Sequence, residues 1–119
     1  IQISKNGTAL PEEKQLITPG GRYQIPTDMF DKDVFIFENS QLSLVGLLNP
    51  DGTPLVTMHC PDFPYVGIWS KPGAPFVCLE PWFGRTDDEG YTGDFSQKTG
   101  IRELDAKDTF QVSYELCFS

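Results

Sequence analysis

The sequence predicts an all-β protein, and three observations carry that prediction. Ten prolines and eleven glycines are scattered through its 119 residues, which a helical bundle would not tolerate. Its apolar runs are short and rich in strand-preferring residues, with none of the 3.6-residue periodicity of an amphipathic helix. Its last segment alternates apolar and polar residues at period two.

The elements follow in chain order. Residues 1–17 mix charge with Gly7 and Pro11 and read as a short edge strand followed by a polar connection. Thr18-Pro19-Gly20-Gly21 is a tight turn, since glycine supplies the positive φ such turns need. Tyr23 and Ile25 make a short strand stopped by Pro26, and Val34-Phe35-Ile36-Phe37 a compact apolar one. Leu42, Leu44 and Leu47 alternate with polar or small neighbours up to Asn49-Pro50-Asp51-Gly52, a strong turn signal. Strands 41–48 and 54–59 therefore read as a hairpin. Residues 65–69, Tyr-Val-Gly-Ile-Trp, form the next strand, and Phe76-Val77-Cys78-Leu79 another that runs into Glu80-Pro81. Residues 84–100 hold four glycines and four carboxylates without apolar periodicity. They read as a long surface loop with one helical turn near 95–98, a kind of loop that is often functional. Phe110, Val112, Tyr114, Leu116 and Phe118 share one face of a closing strand over 109–118. No helix longer than about two turns is expected.

Composition narrows the function classes. The length suits one domain or a large part of one, and 39% hydrophobic with 22% charged residues is ordinary globular composition. A net charge of −8, with nine basic residues spread among seventeen acidic ones, argues against a nucleic-acid or anionic-membrane surface. No apolar run approaches the roughly 20 residues of a membrane span. Cys60, Cys78 and Cys117 include no CxxC pair and lie in or beside apolar runs, so they read as small buried hydrophobes in a reducing, cytoplasmic compartment. No metal or other cofactor is implied.

Chemistry concentrates between Phe76 and Arg85, FVCLEPWFGR. Glu80 is expected at the end of a strand, locked by Pro81 and followed by Trp82 and Phe83. A carboxylate at the mouth of an aromatic-lined cleft is partly stripped of water, which suits it to take and return a proton. The plainer alternative is a strand-end glutamate facing solvent. Trp69 and Trp82 can stack on the C–H faces of sugars or be ordinary core. Asp31 and Asp33, flanking Lys32 before the VFIF strand, can receive sugar hydroxyls or form a solvated turn. His59, the single histidine, has no nucleophile elbow or second metal ligand in its neighbourhood and reads as structural or solvent-facing. Asp87-Asp88-Glu89 with Asp94 lacks the EF-hand pattern and reads as a solvated loop able to serve as a rim or lid.

The run from Pro61 to Gly73, PDFPYVGIWSKPG, followed by FVCLEPWFG over 76–84, resembles the aldose 1-epimerase (galactose mutarotase-like) family, in its LacX-like branch. The similarity extends from Leu16 in LITPGG through MFDKDVFIFEN to the final strand. What it implies is a large antiparallel β-sandwich that binds a free hexose and interconverts its α and β anomers. Glu80 in Cys-Leu-Glu-Pro matches the family's general base. Phe30-Asp31 matches a sugar-binding aspartate most directly, with Asp33 as the close rival. The family's acid histidine, a second sugar-binding histidine and an arginine lie in the N-terminal half of its members.

Residues 1–119 are thereby expected to be the C-terminal portion of one such domain, with the N-terminal half, in the same or a separate chain, as its partner. His59 does not match the position of the family acid, so the fragment alone is expected to be inactive. The alternative on the same fold is a non-catalytic carbohydrate-binding or sugar-sensing protein. A third possibility is an interaction module in which Glu80 lies at the surface and both tryptophans are core.

Overall fold

The computed structural model describes residues 2–32 and 34–119. Eight strands are described: β1 Gln2–Lys5, β2 Thr8–Glu13, β3 Phe35–Phe37, β4 Leu44–Leu48, β5 Pro54–His59, β6 Tyr65–Trp69, β7 Cys78–Trp82 and β8 Glu115–Phe118. They form a five-stranded sheet, order β2-β1-β3-β6-β7, and a three-stranded sheet, order β4-β5-β8, with every strand pairing antiparallel. The helical residues among those described are two 3-10 turns, Pro19–Gly21 and Phe95–Gln97. The all-β prediction holds.

The two sheets meet through the alternating side chains of their strands. Phe37 on β3 and Val66 on β6 join Met58 on β5, with Cys60 and Phe63 just beyond it, in a buried cluster. Phe35, Val45, Ile68 and Leu79 pack round its margin. Because side chains alternate, the opposite face of the five-stranded sheet carries Ile36, Tyr65, Gly67, Trp69, Cys78, Glu80 and Trp82. Burial of one face therefore places the candidate residues together on the other.

The expected hairpin forms, over Leu44–Leu48 and Pro54–His59 rather than from residue 41, with Val45 opposite Met58 and Leu47 opposite Val56. Its turn closes through the Gly52 N–H donating to the Asn49 carbonyl at 2.8 Å, with Gly52 at φ 87°. Four expectations are corrected. Residues 1–17 hold two strands, β1 and β2, paired as a hairpin. Residues 23–25 stay outside both sheets, with Tyr23 and Ile25 exposed. In the closing segment only Glu115–Phe118 pairs, against β5, although Val112 still packs on the core and Tyr114 edges onto Phe63 at 6.2 Å. The strand expected at 76–79 lies instead at Cys78–Trp82. Pro81 does not end it, because β7 is an edge strand of its sheet and a residue without an N–H is tolerated there.

The cysteines divide. Cys60 is buried, Cys78 half-buried and Cys117 exposed on β8, so only the first matches the expected buried hydrophobe in full. No helix among the described residues is long and apolar enough to cross a membrane.

Candidate functional site

Glu80 sits in the middle of β7, opposite Gly67 of β6, and is half-buried. Its strand neighbours two residues away, Cys78 and Trp82, lie on the same face. The Trp82 indole Nε1–H donates to Glu80 Oε2 at 3.2 Å. On the other flank, burial raises the Cys78 thiol above its ordinary value, and the negative charge of Glu80 and a hydrogen bond to it push in the same direction. Cys78 is thus a neutral donor beside the carboxylate at ordinary pH.

Trp82 is opposite Tyr65 in register, yet its ring reaches diagonally across to Gly67. A β-carbon built on Gly67 would stand 2.6 Å from Cη2 and 3.0 Å from Cε2 of the indole, closer than real side chains pack. Gly67 is therefore the seat on which the Trp82 ring lies. A glycine inside a strand pattern marks such a close approach, and the sequence Tyr-Val-Gly-Ile-Trp carries that signal. Cys78, expected as plain core, stands beside the Glu80 carboxylate instead.

The other candidates are placed as follows. Trp69 ends β6 opposite Cys78, half-buried, with its ring edging Phe76 at 6.0 Å. Asp31 is exposed in a turn closed by its own N–H donating to the Asp28 carbonyl at 3.2 Å. Phe30 beside it is buried edge-on against Phe35 at 5.9 Å. The turn lies at the entry to β3, the end of the sheet that also carries Trp69 and Cys78, two strands away from Glu80. Asp33 lies outside the described residues. His59 is exposed on β5 in the other sheet, opposite Leu44 and Glu115.

Beyond Trp82 the chain enters the 84–100 loop, which is anchored rather than free. Arg85, buried at 8% exposure, places its Nε 2.7 Å from Glu38 Oε1 and its NH2 2.7 Å from Asp88 Oδ1. The Nε–H does not point along the line to Glu38, so that contact is a charge pair without an aligned hydrogen bond. Asp88 Oδ2 also accepts from the Thr99 hydroxyl at 2.9 Å. The Arg85 hydrogen bond foremost, aided by Thr99, holds the Asp88 carboxyl below its ordinary value against the opposing effect of burial. Lys98 pairs with Asp87 at 2.6 Å. Between this loop and Trp82 opens a depression of about 580 Å³, lined among others by Arg85, Phe95, Lys98 and Ile101.

No protein-family model matches the chain, and no curated protein does. Among solved structures, a galactose mutarotase-like protein from Lactobacillus casei matches with a TM-score of 0.59 and 30% sequence identity, over 76% of this chain. The chain spans 30% of the length of that structure. Antiparallel sheets packed face to face, together with this likeness, show that the chain has a galactose mutarotase-like fold.

Proposed function

We propose that this chain carries the general base of an aldose 1-epimerase-like carbohydrate isomerase, and that the base is Glu80. The observation that carries the proposal is the half-buried Glu80 carboxylate held by the Trp82 indole N–H at 3.2 Å, on the sheet face opposite the shared core. A carboxylate fixed beside an aromatic ring matches what a sugar demands, a polar partner for its hydroxyls next to an apolar surface for its C–H groups. The name of the Lactobacillus casei structure supports the same chemistry.

In the proposed reaction Glu80 takes the proton from the anomeric hydroxyl of a hexose as an acid protonates the ring oxygen. The C1–ring-oxygen bond breaks to give the open aldehyde. Rotation about the C1–C2 bond turns the other face of the carbonyl to the hydroxyl, and reclosure returns both protons. Trp69 and Trp82 flank the ring, and Asp31 or Asp33 orients its hydroxyls. The acid, a histidine, comes from the N-terminal half of the domain, as does the cover for the apolar residues left exposed here, Leu116 and Phe118 among them. No metal or redox cofactor enters these steps. The LacX-like branch and a cytoplasmic location complete the proposal, the latter suiting three unpaired cysteines.

Polarimetry of mutarotation on the complete natural polypeptide, with galactose and glucose, tests it. Glu80→Gln keeps the shape and removes the base, so activity should fall by about 10²–10⁴-fold, the usual share of general base catalysis. A loss under about tenfold would sink the proposal. Loss of sugar binding with the fold intact would instead favour a non-catalytic sugar-binding protein.

A further inference from the structure

We propose that Trp82 is a positioning residue for Glu80, seated by Gly67, and that this seating holds the carboxylate in place for the proton it takes. The inference rests on Glu80 being the base. It assigns Trp82 a task distinct from stacking on sugar.

Three geometric facts converge on it. First, Glu80 and Trp82 are two residues apart on one strand, so their side chains rise from the same face and the indole N–H reaches Oε2 at 3.2 Å. Second, the ring reaches that position only by leaning across β6 where Gly67 leaves room, because any β-carbon there would stand 2.6 Å from Cη2. Third, Gly67 is the register partner of Glu80 itself, so the residue that admits the ring stands directly opposite the carboxylate the ring holds. Gly67 has no positive φ, which leaves the approach of the ring as what excludes a side chain there.

The consequence is chemical. A free glutamate side chain samples several rotamers, and only some aim an oxygen at a bound sugar. An indole N–H can donate but not accept, so it ties down Oε2 without competing for the proton, while the neutral Cys78 thiol donates to the same carboxylate from its other flank. Fixing a reacting group beforehand removes part of the ordering cost from the barrier. Loss of the donor should therefore lower kcat more than it raises KM.

The test uses ¹⁵N-labelled complete polypeptide, with the Trp82 indole resonance assigned by its loss in Trp82→Phe. In the wild type that resonance should move with pH as Glu80 gains its proton, and Glu80→Gln should abolish the movement. In polarimetry with galactose, Trp82→Phe keeps the ring and loses the donor, and should lower kcat by about tenfold with KM within about twofold. Gly67→Ala should lower kcat at least as much, by displacing the ring that carries the donor. The double variant Gly67→Ala/Trp82→Phe should be no worse than the poorer single one, because both act through one hydrogen bond. A pH-independent indole resonance in the wild type would overturn the inference, and so would unchanged kcat in Trp82→Phe or full additivity in the double variant. Those results with Glu80→Gln inactive would remove the positioning role alone. An active Glu80→Gln would remove the base itself. If Gly67→Ala fails to fold, the resonance and Trp82→Phe still decide.

Discussion

Arg85 Nε lies 2.7 Å from Glu38 Oε1, joining the residue after β3 to the loop after β7 in a site that water scarcely reaches. The Arg85 side chain is 4% exposed and that of Glu38 17%, so the Glu38 charge depends on Arg85, which Asp88 also holds. Removing one partner of such a pair strands the other, at a cost of about 3 kcal/mol. Arg85→Ala should lower the urea-unfolding free energy by about that amount. Arg85→Ala with Glu38→Gln should recover part of it, since the more buried carboxylate is then neutral and only the more exposed Asp88 has lost its cation. Equal stability of Arg85→Ala and the wild type would show that the pair contributes nothing.

Acid should loosen the same region. The Asp88 carboxyl is held below its ordinary value by Arg85 and Thr99, so its contribution is present above the unfolded-state value near about 3.9 and fades as pH falls through the lower folded value. Asp88 is 41% exposed, which makes the contribution small and salt-sensitive. Urea midpoints measured between pH 5 and pH 2 should fall. Asp88→Asn should flatten part of that slope while lowering stability near pH 7. An unchanged slope would mean that other carboxylates carry the acid response.

What was legible in the sequence tracks how local the determining contacts are. The β4–β5 hairpin could be read because Asn-Pro-Asp-Gly and the flanking alternation specify it within one short stretch. The β1–β2 hairpin was missed because Thr8–Glu13, TALPEE, lacks a strand pattern. It is held from far along the chain, with Ala9 N–H donating to the Asp87 carbonyl and Glu89 N–H donating to the Ala9 carbonyl, both at 2.8 Å. Pro81 looked like a strand end because only the topology reveals that β7 is an edge. Glu80 and Trp82 could be picked out from the aromatic context. That Gly67 lies beneath the indole depends on the β6–β7 register, and that Arg85 is buried depends on Glu38 meeting it from across the sheet.

Apolar residues at the β8 edge predict how the isolated chain behaves. Phe118 is 77% exposed and Leu116 44%, on the strand bordering the three-stranded sheet. Exposed apolar edges promote association. Residues 1–119 expressed alone should self-associate and bind a hydrophobic dye, and Leu116→Ser with Phe118→Ser should reduce both. Light scattering that finds the unsubstituted chain monomeric at high concentration, with no dye binding, would refute this.

The last prediction separates the two sheets by function through His59 and Glu80. His59 is exposed on β5, on the side of its strand turned away from buried Met58, whereas Glu80 belongs to the face of the other sheet opposite the shared core. A histidine is the ordinary choice for moving a proton near neutral pH, which makes this single one the natural rival for the acid of the proposed reaction. Its position argues against that role, since an acid must come within hydrogen-bond reach of the atom it protonates. His59→Ala should therefore leave mutarotation by the complete polypeptide within about twofold, and stability within about 0.5 kcal/mol, as for other surface changes. Glu80→Gln in the same assay should lose most activity with the fold intact by circular dichroism. If His59→Ala abolished turnover instead, the acid would belong to these 119 residues, and the need for a histidine from the N-terminal half would disappear.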